Sequence, residues 1–292
     1  MDIFLQLLIN GLIAGAIYSL VACGFSLIYS TNKFIHFAHG GVIVVSSYIF
    51  YTLFSILNLE FYLSCILAVL LSGLVGYLIN LIIYEPFRKR KASNSILLIA
   101  SLGVLILLES ASLIFFGADV KTINYIANAQ GLPFYGAIIT PLQIVIIISS
   151  IVLFIFFYFF MKKTRIGKAM RAVADNAEVA EIVGISTQKI YMWSFVVGSM
   201  VAGVAAILIS LEQNIEPSMG TGLMIKGFTA AVIGGLGSVP GAILGAFLLG
   251  FAENFGIWYL PSGYKDAIAF VLLFLFLLFR PNGILGIKYN TK

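Results

Sequence analysis

Long apolar runs separated by short polar stretches make up most of this chain. Runs long enough to cross a bilayer core as an α-helix, which takes about 20 residues, lie at 3–29, 37–57, 61–84, 95–116, 139–161, 190–211, 225–256 and 266–279. This pattern predicts an all-α polytopic membrane protein with about eight transmembrane segments, some of them broken or re-entrant.

The run at 225–256 is too long for one ordinary span. Its residues 234–241 read GGLGSVPG, and both Gly and Pro disfavour a helix interior, Pro because it lacks an N–H. We therefore expect the helix to break here, as a hairpin or as two short spans. A break at membrane depth needs polar partners or a watery cavity, and in transporters such breaks often line the route of the solute.

Close helix packing is the alternative explanation for these glycines. Gly237, Gly241 and Gly245 repeat at four-residue spacing, as do Gly11 and Gly15. Small residues at this spacing let two helices approach each other in a membrane. The sequence leaves both explanations open.

The composition supports a membrane protein and excludes an ordinary soluble domain. Of the 292 residues, 61% are hydrophobic and 10% are charged, with a mean hydropathy of +1.07. A soluble domain needs a polar surface, whereas a membrane protein faces lipid. The two cysteines, Cys23 and Cys65, lie in apolar runs and predict no disulfide framework. The first run carries Asp2 and no early basic residue, so we expect a retained span rather than a cleaved signal.

The basic residues predict the orientation of the spans. Nine of the 17 Lys and Arg residues lie in two clusters, at 88–91 and 162–171. The positive-inside rule places these clusters in the cytoplasm. Because the basic residues lie in short stretches beside apolar runs, the net charge of +5 does not indicate nucleic-acid binding. Counting spans from there puts the N-terminus outside. If the run 225–256 crossed once, Arg280, Lys288 and Lys292 would lie outside; we expect it to bend back, which places them in the cytoplasm.

Residues 162–188 form the one long polar connector between apolar runs. On a helix over 168–184, an apolar stripe of Met170, Val173, Ala177, Ala180 and Gly184 would adjoin a charged stripe of Lys168, Arg171, Asp175, Glu178 and Glu181. Membrane-surface helices carry basic polar faces and bulky apolar ones. Here the later charges are acidic and the apolar stripe is small, which favours docking into a groove of another protein.

Four ionisable residues in apolar runs are candidates for a polar path. His36 and His39 could share a helix face, but the chain has no third histidine to complete a metal site. The two histidines could instead line a polar path, or they could be hydrogen-bonded to the backbone at the membrane interface. Glu109 and Glu253 would be costly at membrane depth unless they face other helices or water, or stay protonated. A proton relay and a satisfied structural acid both remain open for each.

The sequence has no nucleotide-binding loop. The Gly-rich stretch at 234–241 lacks the Lys-Ser/Thr ending that grips phosphates and does not match the dinucleotide fingerprint. No arrangement of a nucleophile and a base is visible either. If ATP powers this protein, another chain must hydrolyse it.

Several short motifs, in order along nearly the whole chain, resemble permease subunits of high-affinity branched-chain amino acid ABC importers. The matching pieces are Phe37-Ala38-His39-Gly40, the Tyr84/Pro86/Arg88 pattern, Arg165-x-Gly167-x-Ala169-x-Arg171-Ala172, 175–185, 228–241, Tyr264-Lys265-Asp266 and 281–286. The chain departs from the common pattern at His36, Gly41 and Glu85, where the family usually has Asn, Glu and Arg.

The resemblance implies the multi-span type II importer fold, one permease domain over residues 1–292, and transport without enzymatic chemistry. It implies a second permease subunit or a second copy, two cytoplasmic ATPases that hold ATP and Mg, an external solute-binding protein, and a bacterial or archaeal cell membrane. No cofactor is expected in this chain and no nucleic acid as partner.

The resemblance also assigns site residues. A coupling helix within the connector would use Gly167, Ala169, Arg171, Ala172, Asp175, Asn176, Ala180 and Gly184. The polar residues and the glycine-rich break in the apolar runs, independently of the resemblance, give a candidate translocation path that comprises His36, Phe37, His39, Gly40, Glu109, Gly234, Gly235, Gly237, Pro240 and Glu253.

Three alternative functions remain open. Related permeases move urea or short amides, which is one alternative function. An ion-coupled secondary transporter that uses Glu109 or Glu253 is a second alternative, and an intramembrane enzyme that uses His36 and His39 is a third.

Overall fold

A computed structural model describes residues 2–123, 125, 131–134 and 136–286. Lys288 and Lys292, which the sequence places in the cytoplasm, lie outside these residues. The helices in the described part are α1 (Asp2–Asn32), α2 (Ala38–Tyr51), α3 (Phe61–Ile79), α4 (Glu85–Lys89), α5 (Asn94–Phe116), α6 (Pro141–Lys163), α7 (Arg165–Asp175), α8 (Ala177–Ile182), α9 (Thr187–Glu212), α10 (Met219–Gly234), α11 (Val239–Gly256) and α12 (Lys265–Phe279). Two short antiparallel strands, β1 (Leu132–Phe134) and β2 (Ala137–Ile139), form a hairpin.

The predicted spans are confirmed. Within the described ranges, eight helices are long and apolar enough to cross a membrane. The predicted break in 225–256 is also confirmed, because α10 ends at Gly234 and α11 begins at Val239. The largest difference is that α10 begins at Met219, six residues earlier than the hydropathy pattern indicated.

Two π-helical turns extend spans beyond their α-helical parts. One, Thr52–Ile56, follows α2, and the other, Asn80–Tyr84, joins α3 to α4. The second turn makes Phe61–Lys89 one continuous run of 29 residues. It carries Arg88 and Lys89, expected in a loop, onto the last turn of α4.

The chain divides into two compact units. The first comprises residues 1–26, 124–152 and 225–292, which include most of α1, α10, α11 and α12. Within it, α1 and α11 pack closely: a side chain at Gly250 would overlap the backbone of Gly11 and Gly15. The four-residue glycine spacing of α1 therefore serves helix packing.

The second unit comprises residues 27–123 and 153–224, and so contains α2, α3, α5, α7, α8 and α9. Here α3 and α9 pack tightly, because Gly76 lies against Ser199 and Phe195, and Gly203 lies against Ser72. A buried cluster around Tyr48 and Phe50 fills the space beside them.

Candidate coupling connector and buried polar clusters

The polar connector is two short helices rather than one. The single helix predicted over 168–184 is wrong, because the backbone turns at Asn176, with φ −150° and ψ 110°. Asn176 ends α7 through its N–H, which donates to Ala172 O at 3.0 Å. Its side-chain Oδ1 accepts from Val179 N at 3.0 Å and so caps α8. An Asn side chain can serve a turn and a helix N-terminus in this way.

The two faces predicted for the connector are present on α7. Gly167, Met170 and Val173 are buried, and Ala180 is buried on α8. The charged residues Lys168, Arg171, Asp175, Glu178 and Glu181 are exposed. Ala169 and Ala172 are half-buried between the two faces, and Asn176 is exposed at the turn.

Two members of the predicted apolar stripe are placed differently. Gly184 is exposed and has a φ of +87°, so it ends α8 instead of facing the interior. Ala177 is only half-buried. The break at Asn176 changes the helical phase, so positions before and after it no longer share one face.

Gly167 is required by close packing at the start of α7. A Cβ at this position would overlap Phe160 O and would lie 2.6 Å from Met161 Cα. Thr164, the N-cap residue, accepts a hydrogen bond from Gly167 N at 3.0 Å. The turn between α6 and α7 is therefore compact and leaves no room for a side chain.

The sequence pattern did not predict the exposed apolar residues of α8 and its C-cap. Val179, Ile182 and Val183 are 53%, 83% and 69% exposed. Their i, i+3, i+4 spacing indicates one helix face. The prediction overlooked this face because it gave the apolar side of 168–184 to the small residues instead. These three side chains lie outside the eight spans of the described part, and an exposed apolar face in such a place is typical of interaction surfaces.

The two histidines are fully buried in an aromatic cluster. His36 precedes α2, so the predicted shared helix face is wrong, and the two rings lie 6.3 Å apart. His36 Nδ1 lies 2.8 Å from Tyr84 Oη, and its ring meets Phe195 edge-on at 5.0 Å. Burial, reinforced by the neighbouring His39, lowers the pKa of His36 well below 6.5. The His36 imidazole is therefore neutral at pH 7. In the described part of the chain, no set of three metal-ligating side chains forms.

The other candidates near the histidines have packing roles. Phe37 N donates to Ser101 Oγ at 3.1 Å. Gly40 is buried, and a side chain there would overlap Gly220 O. Gly40 is thus a close-contact position between α2 and the first turn of α10.

Glu109 holds the first turn of α10. Its Oε1 accepts from Thr221 N at 2.8 Å and from Thr221 Oγ1 at 2.9 Å. A carboxylate at a helix N-terminus satisfies an otherwise unpaired N–H and favours the helix dipole. These contacts give Glu109 the properties of a satisfied structural acid.

Glu253 belongs to a separate buried ionic network in the first unit. Its side chain is fully buried, its Oε2 accepts from Tyr18 Oη at 2.7 Å, and Lys226 Nζ lies 3.5 Å away. Lys226 Nζ also lies 3.1 Å from Tyr18 Oη and 3.2 Å from Asp266 Oδ1. The carboxylate thus has both a hydrogen-bond donor and a counter-ion, which is what a charge at membrane depth requires.

Several backbone groups of the glycine-rich break are hydrogen-bonded within the protein. The carbonyls of Ile233 and Gly234 accept from Ile284 N at 2.9 Å and Leu285 N at 2.8 Å. Ser238 caps α11 by accepting from Gly241 N at 3.2 Å. The last described residues therefore complete the broken backbone, which supports the packing explanation.

Most of the glycines at this break cannot be replaced without strain or overlap. Gly235 and Gly237 have φ values of +109° and +85°, a region that favours glycine. Side chains at Gly234 and Gly241 would overlap each other's backbone, and one at Gly245 would overlap Ala230 O. Pro240, in the first turn of α11, is exposed. Assignment of these residues to a solute path remains a prediction.

These features define an all-α integral membrane protein with a compact polar connector between two of its spans. This is the organisation of a transport permease. The family described as "Branched-chain amino acid transport system / permease component" matches residues 7–277. The chain belongs to this family.

Curated relatives match over almost their whole length. The chain is 36% identical to the high-affinity branched-chain amino acid transport system permease protein BraD of Pseudomonas aeruginosa, over 97% of this chain and 96% of the relative. It is 33% identical to the LivH permease protein of Escherichia coli K12, with the same coverage. It is also 31% identical to a probable LivH permease protein of Methanocaldococcus jannaschii, over 93% and 89% of the two chains.

A solved structure has a related fold. PsaBC from Streptococcus pneumoniae, in complex with a Fab, superposes with a TM-score of 0.54 over 97% of this chain and 93% of that chain, at 15% identity. The predicted fold class, an all-α polytopic permease of the type II importer arrangement, is confirmed.

Proposed function

We propose that this chain is the permease subunit of an ABC importer that moves branched-chain or similar amino acids into the cell. Relatives that match 97% of the chain are named as permeases of high-affinity branched-chain amino acid transport systems. The chain itself binds no cofactor, and ATP with Mg is held by two separate ATPase subunits. The absence from the full sequence of a phosphate-binding loop ending in Lys-Ser/Thr supports this division of labour.

The connector α7–α8 is the docking surface for the ATPase. The observation that carries this assignment is the exposed apolar face of Val179, Ile182 and Val183 on α8 and its C-cap, in a connector that also exposes the charges of Arg171 and Asp175 on α7. An apolar centre with a polar rim is typical of a protein interface. Gly167, Ala169, Ala172, Asn176, Ala180 and Gly184 shape the two helices that present this face.

The remaining partners follow from this role. A second permease subunit, similar or identical, completes the membrane part, and an external solute-binding protein delivers the amino acid. The connector and the basic cluster at 88–91 face the cytoplasm, the N-terminus lies outside, and the C-terminus lies inside, as the positive-inside rule requires. The complex resides in a bacterial or archaeal cell membrane.

Replacement of Ile182 tests the docking surface. In proteoliposomes that contain the ATPases and the solute-binding protein, I182E should abolish association with the ATPases and uptake of radiolabelled leucine, because a charge would be buried in the interface. The matched control is I138E, at a residue on β2 that is 60% exposed and lies outside the connector. Normal association and uptake by I182E would refute the docking assignment.

Replacement of the flanking charges tests the step after docking. We expect R171A and D175A to retain membrane insertion and to lower uptake relative to ATP hydrolysis. Unchanged uptake in both variants would argue strongly against a coupling role for the connector.

A further inference from the structure

Arg88 joins three helix segments of the second unit at one point. Its Nη1 donates to Asn32 Oδ1 at 3.0 Å, at the end of α1, and its Nη2 donates to Asn80 Oδ1 in the π turn before α4. Its guanidinium carbon lies 4.9 Å from the centroid of the Tyr191 ring on α9 and 6.0 Å from that of Phe195. One side chain therefore fixes the relative positions of α1, α4 and α9.

The hydrogen-bond acceptors and the rings that contact this cation are neutral. The neighbouring carboxylate, Glu85, pairs with Lys89 at 2.8 Å, and Arg88 relies on two amide oxygens and two aromatic faces. A half-buried cation whose direct contacts are neutral is tolerated only when the acceptors and rings around it are well placed. Only the planar fork of Arg reaches two acceptors and stacks on a ring at the same time. The position of Arg88 is thus strictly specified, and a Lys cannot replace these contacts.

The π turn sets the geometry of this junction. Asn80 and Tyr84 are its first and last residues; Asn80 binds Arg88, and Tyr84 lies against His36. An extra residue in a helical turn rotates the following side chains by about 100°. The turn thereby allows Asn80 and Arg88, eight residues apart, to face each other.

A continuous set of contacts links the connector to Arg88. Thr187, the first residue of α9, donates from Oγ1 to the Glu181 carboxylate on α8. Tyr191 follows one turn later beneath Arg88. Ser194 Oγ, on the next turn, accepts from Asn32 Nδ2 at 2.7 Å.

We propose that Arg88 is a positioning residue for energy coupling, which transmits displacement of α8 through the start of α9 to the ends of α1 and α3. This inference rests on the proposed function, because the displacement originates from ATPases docked on α7–α8. Arg88 touches neither the solute nor the ATPase in this scheme. Its role is to make the three helix segments move as one body.

The test compares leucine uptake with ATP hydrolysis at a fixed amount of reconstituted complex. We expect R88K to bind the ATPases normally but to lower the uptake-to-hydrolysis ratio about fivefold or more, the lower end of usual coupling energies. The matched control is R90K, at an exposed residue of the same basic cluster, which should keep the wild-type ratio. A purely structural role would lower uptake and hydrolysis together, in proportion to the loss of folded complex.

Tyr191 provides a second variant that leaves Arg88 in place. Y191L should lower the ratio, because it removes the aromatic face beneath the guanidinium, whereas Y191F should preserve it. Wild-type ratios in both R88K and Y191L, or proportional losses of uptake and hydrolysis, would overturn the inference while the proposed function stands. Failure of wild-type protein to bind any ATPase would instead overturn the proposed function and this inference with it.

Discussion

At the scale of single residues, two carboxylates in the spans bind partners far away in sequence. Glu253 pairs with Tyr18 and Lys226, and Glu109 binds Thr221, 112 positions away. Because water is scarce at membrane depth, each such group must find its partner within the protein. Both carboxylates therefore have structural functions, whatever part they play in a path.

Removal of Lys226 should destabilise the first unit through Glu253. K226M would leave a fully buried carboxylate without its counter-ion, a change that costs about 3–5 kcal/mol when a buried pair is broken. We expect a lower thermal unfolding midpoint in detergent. The double variant K226M/E253Q should recover much of this loss, because no charge remains to be buried. Equal midpoints for K226M and wild type would show that the network does not contribute to stability.

At the scale of elements, the sequence pattern predicted the spans well and the connector less well. The spans were predictable because hydropathy is a sum over about 20 adjacent residues, and the break at 235–238 was predictable because Gly and Pro act locally. The split of the connector depends on Asn176, whose capping contacts are made only once the chain turns there. The apolar stripe that was predicted to continue past Asn176 therefore included Gly184, which is exposed in the structure.

The packing of α10 against α11 should depend on Gly245. A side chain in G245A would overlap Ala230 O, so either the helices separate or the backbone shifts. We expect a lower unfolding midpoint and reduced uptake. G222A, on α10, is the control, because a Cβ there meets nothing within 4 Å and Ala favours the helix by roughly 0.5–1 kcal/mol. If G245A and G222A behaved alike, the close contact would not limit stability.

At the scale of the whole molecule, the chain combines lipid-facing spans with a small aqueous surface. The side chains of α12 are mostly exposed and apolar, as expected of helices that face hydrocarbon. The charges concentrate near span ends and on α7–α8, so the part of the surface available to water-soluble partners is limited. The connector is the largest such polar segment in the sequence.

Accessibility to a membrane-impermeant thiol reagent should reveal the orientation. In a variant without Cys23 and Cys65, a cysteine placed at the exposed Glu60 should react in intact cells. One placed at the exposed Glu178, on α8, should react only after the membrane is opened. Reaction at position 178 in intact cells would reverse the proposed topology and remove the connector from the cytoplasm.

The sequence by itself determined the class of protein, the approximate limits of its spans, the break after α10, the polar connector and the family resemblance. These properties follow from local composition and from short motifs. The tertiary structure alone decided the split at Asn176, the exposed face of Val179, Ile182 and Val183, and the junction at Arg88. Such features depend on side chains that the fold brings together from distant positions, as it does with Tyr18 and Glu253, which are 235 residues apart. Hydropathy and helix propensity are sums over neighbouring residues, so they cannot predict which distant side chains will meet.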